Sequence, residues 1–262
     1  MTFLHHVKER YTHDTAWYQL LSQIYQTELT YNEQALEYCA SRNMTQDTMR
    51  AFAIGYAPGS DTQLAQLIAS EFPADFLERN GIAYPEARYC KFDSRIMFPY
   101  HDLRGNVVGM SGRIIPPADA KLRKYVHTSN TAVYQKSLYM YGMYQAIPHI
   151  RTKGYVVIVE GNVDVLALAQ SSVQNVVACS GTAFTPQYLQ MLRTYTDTFL
   201  FWFDNDDAGE EGWNRAECLC DDFGVVCRRI YEDSGHDPDA ISCIISPEDI
   251  QHVVREAYEQ TQ

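Results

Sequence analysis

The chain has 262 residues, 46% of them hydrophobic, and a formal net charge of −12. That length suits one large domain or two small ones with a real buried core, and no apolar run approaches the ~20 residues needed to cross a bilayer, which argues against a membrane protein. The opening MTFLHHVKERYTHD has no apolar stretch of signal-peptide type. Seven Cys, an odd number without a C-x-x-C, point to reduced thiols and a cytoplasmic setting. Cys218-Leu-Cys220 falls in a helical pattern and reads as plain core or surface thiols.

The first part of the chain reads helical. In TAWYQLLSQIYQTELT, apolar residues at 17, 20, 21 and 24 mark one face of a 3.6-residue period. Asn32 is placed to cap a second helix and Thr45 a short third one. Asp61 or Thr62 starts a fourth (QLAQLIASEF), a fifth lies near 73–80, and Gly81 closes this portion. From 88 the texture changes. RYCKFDSRIMFPYHD and NVVGMSGRII read as strands joined by a turn at Asp102-Leu-Arg-Gly105, ended by Pro116-Pro117. Residues 118–150 are mixed and give no clear period.

After Gly154 the pattern becomes regular. Apolar strands over 155–160, 175–179, 198–203 and 224–231 alternate with helices over about 162–171, 185–194 and 207–222. This predicts a parallel sheet covered on both faces. A last helix runs from about 246 to 260. The expected fold class is α/β: a mixed α+β N-terminal subdomain over 1–150, a parallel α/β sheet flanked by helices over 151–240, and a short helical tail over 241–262.

Charge is distributed unevenly. Residues 1–150 hold 14 Lys+Arg and 14 Asp+Glu, and residues 151–262 hold 7 and 19. Within the first part, 79–136 carries 10 basic residues against 4 acidic ones. A basic segment followed by an acidic one suits an anionic polymer on one surface and metal cations on the other. Two solvated faces of opposite sign would give the same counts.

The stretch TFLFWFDNDDAGEEG concentrates the problem. A strand that must be buried ends in Asp204, Asp206 and Asp207, and like charges about 4 Å apart repel by roughly 1 kcal/mol even in water. Strand ends gather acids elsewhere too. Glu160 closes the first strand and Asp164 follows in the next helical turn, while Glu232, Asp233, Asp237 and Asp239 follow the fourth. Ligands collect at the carboxyl ends of such strands. Gly161, Gly181 and Gly209 stand beside the acids, where backbone must turn sharply or approach a ligand. Helix capping explains any one acid, but three clusters at once point to a hard divalent ion and metal-assisted phosphoryl transfer.

VEGNVDV followed by DNDDAG resembles the Toprim domain, shared by primases, topoisomerases, recombination mediators and several nucleases. Four further stretches resemble the RNA-polymerase core of the bacterial-type replicative primase: MRAFAIGYAP (49–58), RIMFPYHDLRGNVVGMSGR (95–113), Lys124-Tyr125 with Thr128-Ser-Asn and then Lys136, and HDPDAI (236–241). The resemblance implies a DNA-dependent RNA polymerase that makes short primers on single-stranded DNA from nucleoside triphosphates. It implies metal ligation or acid–base work for Glu160, and Mg²⁺ or Mn²⁺ ligation, by more than one ion, for Asp164, Asp204, Asp206, Asp237 and Asp239. Glu160, Asp204 and Asp206 are the expected catalytic set. Nucleic-acid or nucleotide contacts are implied for Arg113, Lys124 and Lys136, and more weakly for Arg95 and Arg42. Gly181-Thr182 falls on the family's Gly-Thr loop.

The sequence departs from that family in places. Arg123 stands where the family has proline before Lys-Tyr, and neither a Cys/His zinc-binding domain nor a helicase-binding domain is found. The expectation is therefore no zinc, and either an excised core, a compact primase of a mobile element or phage, or a Toprim protein working with a separate zinc-binding protein or helicase. A Toprim nuclease and a non-catalytic DNA-binding module are the alternatives. A topoisomerase lacks room for its nucleophilic Tyr domain.

Overall fold

The computed structural model describes residues 14–84, 89–117, 121–232 and 235–261. The expectations for the first residues, for Arg88 and for Asp233 lie outside them. Two compact units emerge. One runs to Ser41 and from Met49 to Gln135, and the other comprises Arg42–Thr48 and the chain from Lys136 onward.

In the first unit, α1 (Asp14–Tyr31) buries Trp17, Leu20 and Leu21, the face its period marks. Asn32 follows, and its Oδ1 accepts the Ala35 N–H at 2.9 Å to start α2 (Glu33–Ser41). The Thr45 hydroxyl, in the short stretch that belongs to the second unit, accepts from Thr48 N at 3.2 Å and opens α3 (Gln46–Ala51), whose end returns to the first unit. The strand β1 (Gly55–Ala57) is next. Thr62 caps α4 (Gln63–Glu71), and α5 (Ala74–Arg79) follows. A two-residue pair, β2 (Ala83–Tyr84) with β3 (Tyr89–Cys90), precedes β4 (Arg95–His101), β5 (Val107–Ile114) and β6 (Tyr125–His127). These last three join β1 in an antiparallel sheet of order β1-β4-β5-β6. The Asp102 carboxylate fastens the β4–β5 turn by accepting from Arg104 N and Asn106 N, each at 2.8 Å. Trp17, Tyr18, Leu21, Phe72, Phe76, Met97 and Met110 form the core beneath.

The second unit opens with a 3₁₀ turn at Lys136–Leu138 and α6 (Met143–Lys153), which contains Pro148. Then come β7 (Val156–Val159), α7 (Asn162–Gln170), β8 (Val176–Ala178), α8 (Pro186–Leu192), β9 (Thr198–Trp202), α9 (Asp207–Phe223), β10 (Val226–Arg229), α10 (Pro238–Ile241) and α11 (Pro247–Glu259). The sheet is wholly parallel, of order β10-β9-β7-β8. Its interior strands are buried on both faces, which is why they read as unbroken apolar runs. Tyr141 pairs with Ala178 on the edge of this sheet, exchanging both backbone bonds at 3.0 and 3.1 Å. The compact division falls between Gln135 and Lys136, so Tyr141 and Ala178 lie in the same unit.

Candidate active site

Register decides where the site lies. Val159 of β7 stands level with Trp202 of β9 and with Ala178 of β8, so the chain leaves three adjacent strands at one edge of the sheet. Glu160 is the residue immediately beyond β7, and Asp204 lies two beyond β9. The Asp204 N–H donates to Glu160 Oε1 at 3.2 Å, which ties the two strand ends together.

Asp164 lies in the first turn of α7 and is buried. Its Oδ2 accepts the Gly161 N–H at 2.9 Å and its Oδ1 accepts the Asp239 N–H at 3.2 Å. One carboxylate thus clamps the start of α7 to the start of α10. A Cβ on Gly161 would meet Asp164 Oδ2 at 2.6 Å, so only glycine lets the side chain fold back this way. Gly209 answers a harder demand: its Cβ would sit 2.0 Å from the Asp204 carbonyl oxygen, which is backbone and cannot step aside.

Asp206 and Asp237 are N-caps. Asp206 Oδ1 accepts from Gly209 N at 2.8 Å at the head of α9, and Asp237 Oδ1 accepts from Ala240 N at 2.7 Å at the head of α10. The capping reading and the cluster reading are compatible: each cap uses one oxygen of a carboxylate that stands among other acids. Asp239 is buried and ion-paired to Arg42, while its Oδ1 has no hydrogen-bond partner.

The charges feel one another. Burial pushes Asp164 up to about 8, and the repulsion of Asp237, Asp204 and Glu160 adds to it against the Gly161 N–H. Burial also raises Glu160, with Asp206 contributing, while the Asp204 N–H and Arg229 oppose the rise. All six predicted acids of the second unit are thus joined by hydrogen bonds, charge coupling or both. Among the described residues, no three Asp, Glu, His or Cys side chains form a closed ligand group as they stand. The donor chemistry nevertheless fits a hard divalent cation. The set is all carboxylate oxygen, it includes the orphaned Asp239 Oδ1, and it holds Asp164 against three like charges that an ion would relieve.

The five predicted basic residues take different places, Arg42 beside Asp239. Lys124 is exposed. Arg113 is half-buried, with its guanidinium 5.5 Å from the Tyr38 ring centroid and 5.4 Å from that of Tyr125, and it donates to the Tyr125 hydroxyl at 2.9 Å. Arg95 is 4% exposed, and its Nη1 donates to the carbonyls of Gly112, Arg123 and Lys124 at 3.2, 2.9 and 3.2 Å. It holds the strand leading to Lys124 rather than presenting charge to solvent. Lys136 belongs to the acidic unit: its Nζ donates to Gly181 O at 3.4 Å, beside Ser180, whose N–H donates to Glu160 O at 2.8 Å.

Sequence reading did not single out Arg229. It ends β10, is buried, pairs with Glu210, and its guanidinium carbon lies 4.7 Å from the Tyr231 ring centroid. The available signal was a charged residue at the inward position of an apolar strand. The partnership of Arg42 with Asp239 was equally hidden, because nothing in the sequence brings residue 42 beside residue 239.

With this geometry in place, known proteins are decisive. Residues 24–147 match the family model for the DNA primase catalytic core, N-terminal domain, and residues 157–242 match the Toprim-like model. The chain belongs to the bacterial DNA primase catalytic-core family. It is 30% identical over 256 residues to the DNA primase of Aquifex aeolicus (strain VF5), covering 96% of this chain and 51% of that one. It is 34% identical to the DNA primase of Geobacillus stearothermophilus over 233 residues, covering 86% of this chain and 38% of the relative. Among solved structures, the zinc-binding and RNA polymerase domains of the Aquifex aeolicus primase superpose with a TM-score of 0.85 at 28% identity, covering 93% of this chain and 60% of that one. A primase catalytic domain bound to single-stranded DNA gives 0.81 at 28%, covering 96% and 80%. The chain thus spans about half the length, or less, of these two primases. Among its described residues, no helix is long and apolar enough to cross a membrane.

Proposed function

We propose that this chain is a DNA-dependent RNA polymerase that makes short primers on single-stranded DNA. The observation that carries this reading is the linked set of six carboxylates at the carboxyl edge of the parallel sheet, within a chain whose two parts both match the primase core. Asp164, Asp204, Asp206, Asp237 and Asp239, with Glu160, would hold Mg²⁺ or Mn²⁺. A divalent ion bound there supplies Lewis acidity toward the attacking 3′-hydroxyl and charge compensation for the pyrophosphate leaving group.

The chain's own residues have distinct tasks. Glu160 is raised by burial, and the Asp204 N–H orients its Oε1, which suits it to take the proton of the 3′-hydroxyl. Asp204 and Asp206 set the head of α9, whose N–H groups favour anions. Lys136, at the Gly181 carbonyl, offers a cation to nucleotide phosphate. Lys124 and Arg113 hold template through its phosphates and through the aromatic setting of Tyr38 and Tyr125. Arg95 contributes through the Lys124 backbone it braces. A zinc-binding module and a helicase are the further partners this reading assigns. An odd count of seven cysteines without a C-x-x-C suits a cytoplasmic setting.

The test is synthesis. The chain is incubated with single-stranded DNA, labelled ribonucleotides and Mg²⁺ or Mn²⁺, beside Asp204→Asn. Short template-dependent RNA from the wild type alone is the expected result. Shortened DNA without RNA would replace the polymerase by a nuclease, and inactivity even with a zinc-binding partner added would leave a binding module.

A further inference from the structure

Far from the acids, α9 and β10 bring two thiols together. Gly224, at φ +64°, ends α9 in the left-handed conformation, and Val225 N donates back to Cys220 O at 2.9 Å. The chain then enters β10 with Cys227 on the same side as Arg229, the side that faces α9, because side chains alternate along a strand. Cys220 is wholly buried in the core of the second unit, and Cys227 packs against that core while keeping partial access to solvent. The two thiols are close enough for each to shift the titration of the other. Among the described residues β10 is an edge strand of its sheet.

We propose that Cys227 is a thiol-modification site that resolves onto Cys220, closing a reversible disulfide between the end of α9 and the edge of the sheet. The oxidant is a low-molecular-weight disulfide. Cys227 thiolate attacks one of its sulfurs, the oxidant S–S bond breaks, and one small thiol departs with a proton. The Cys220 thiol then gives up its proton and attacks the Cys227 sulfur of the mixed disulfide, releasing the second small thiol. Both electrons pass to the oxidant. The polarity of the pair favours this order. The neighbouring Cys220 thiol lowers the Cys227 thiol from its ordinary value, against burial and the charges of Asp221 and Glu217. The same contact, with burial, raises Cys220. The more exposed sulfur is thus the nucleophile, and the buried one resolves. The site lies at the opposite end of α9 from Asp206 and does not depend on the polymerase reading.

The test uses the whole chain with Cys218→Ser, since Cys218 is exposed and falls in the same tryptic peptide, 216–228. The folded protein is treated with oxidised glutathione and its intact mass read without reduction. The expected result is loss of two hydrogens, with Cys220 and Cys227 linked after cleavage at the intervening Asp221-Asp222. Cys227→Ser should abolish the reaction, and Cys220→Ala should trap one glutathione on Cys227. Circular dichroism confirms that each variant folds. A stable glutathione adduct on Cys227 with Cys220 intact, oxidation at Cys243 instead, or no change until the protein is denatured would each overturn the proposal.

Discussion

The two units of this chain solve opposite electrostatic problems. The parallel-sheet unit gathers like charges and holds them under tension: Asp164 is buried beside Asp237, Asp204 and Glu160, and its carboxyl stays protonated well beyond the usual range. The antiparallel unit disperses its charge. Lys124 is exposed, Arg113 lies near two tyrosine rings, and Arg95 donates internally through Nη1 to three carbonyls. A crowded set of acids is relieved when something positive is bound among them. A spread of cations, each settled on its own, suits a long anionic polymer read through its phosphates. The difference predicts that substitutions in the acidic unit remove chemistry and those in the basic unit remove affinity.

The largest break should come from Asp204→Asn. It takes one charge out of the cluster while keeping the backbone N–H that meets Glu160, and primer synthesis should fall by about 10³-fold or more. Single-stranded DNA affinity should stay within about twofold. Comparable loss of both would merge the two roles. Gly209→Ala is the structural counterpart. Its Cβ would strike the Asp204 carbonyl, and unfolding by denaturant should show more than about 3 kcal/mol of lost stability. Gly161→Ala should cost less, about 1–2 kcal/mol, because the atom it meets is the end of a side chain that can turn away.

A pH series separates the units by stability. Burial lowers His101 of β4 to about 4, with Asp102 opposing. The unfolded imidazole takes up a proton near pH 6.5, so the folded state loses stability as pH falls from there toward 4. His101→Gln should flatten that window by up to about 2 kcal/mol, allowing for partial exposure. A mutant with the wild-type slope would remove His101 from the account. The smallest effect belongs to Lys124→Ala. Single-stranded DNA affinity should weaken about three- to tenfold, with the salt slope reduced by about 0.7, one phosphate contact.

How much of this was legible in the sequence depended on period and length. The parallel strands were readable because burial on both faces leaves unbroken apolar runs bounded by glycine and acids. The caps at Asn32, Thr45 and Thr62 were readable because the side-chain chemistry is local. Three pieces were not. Strands β1 and β6 have three residues each, too few to show alternation, and exist because β4 and β5 offer them edges. Helix α6 carries Pro148 and lay inside a stretch of mixed texture. The bent carboxylate of Asp164, reaching both Gly161 and Asp239, needs residues far apart in the chain to meet. The acids themselves were legible as a set, whereas their hydrogen bonds and the counter-charges Arg42 and Arg229 were matters of tertiary packing.

The most direct test of the division between the units is a side-by-side titration. Single-stranded DNA binding across a salt series and primer synthesis at saturating DNA should be measured for the wild type, Asp204→Asn and Lys124→Ala. The account predicts wild-type binding with no synthesis for Asp204→Asn. For Lys124→Ala it predicts weakened binding with a reduced salt slope, and synthesis that recovers as DNA is raised. Loss of binding in Asp204→Asn, or full synthesis by it, would contradict the assignment of chemistry to the acidic edge of the parallel sheet.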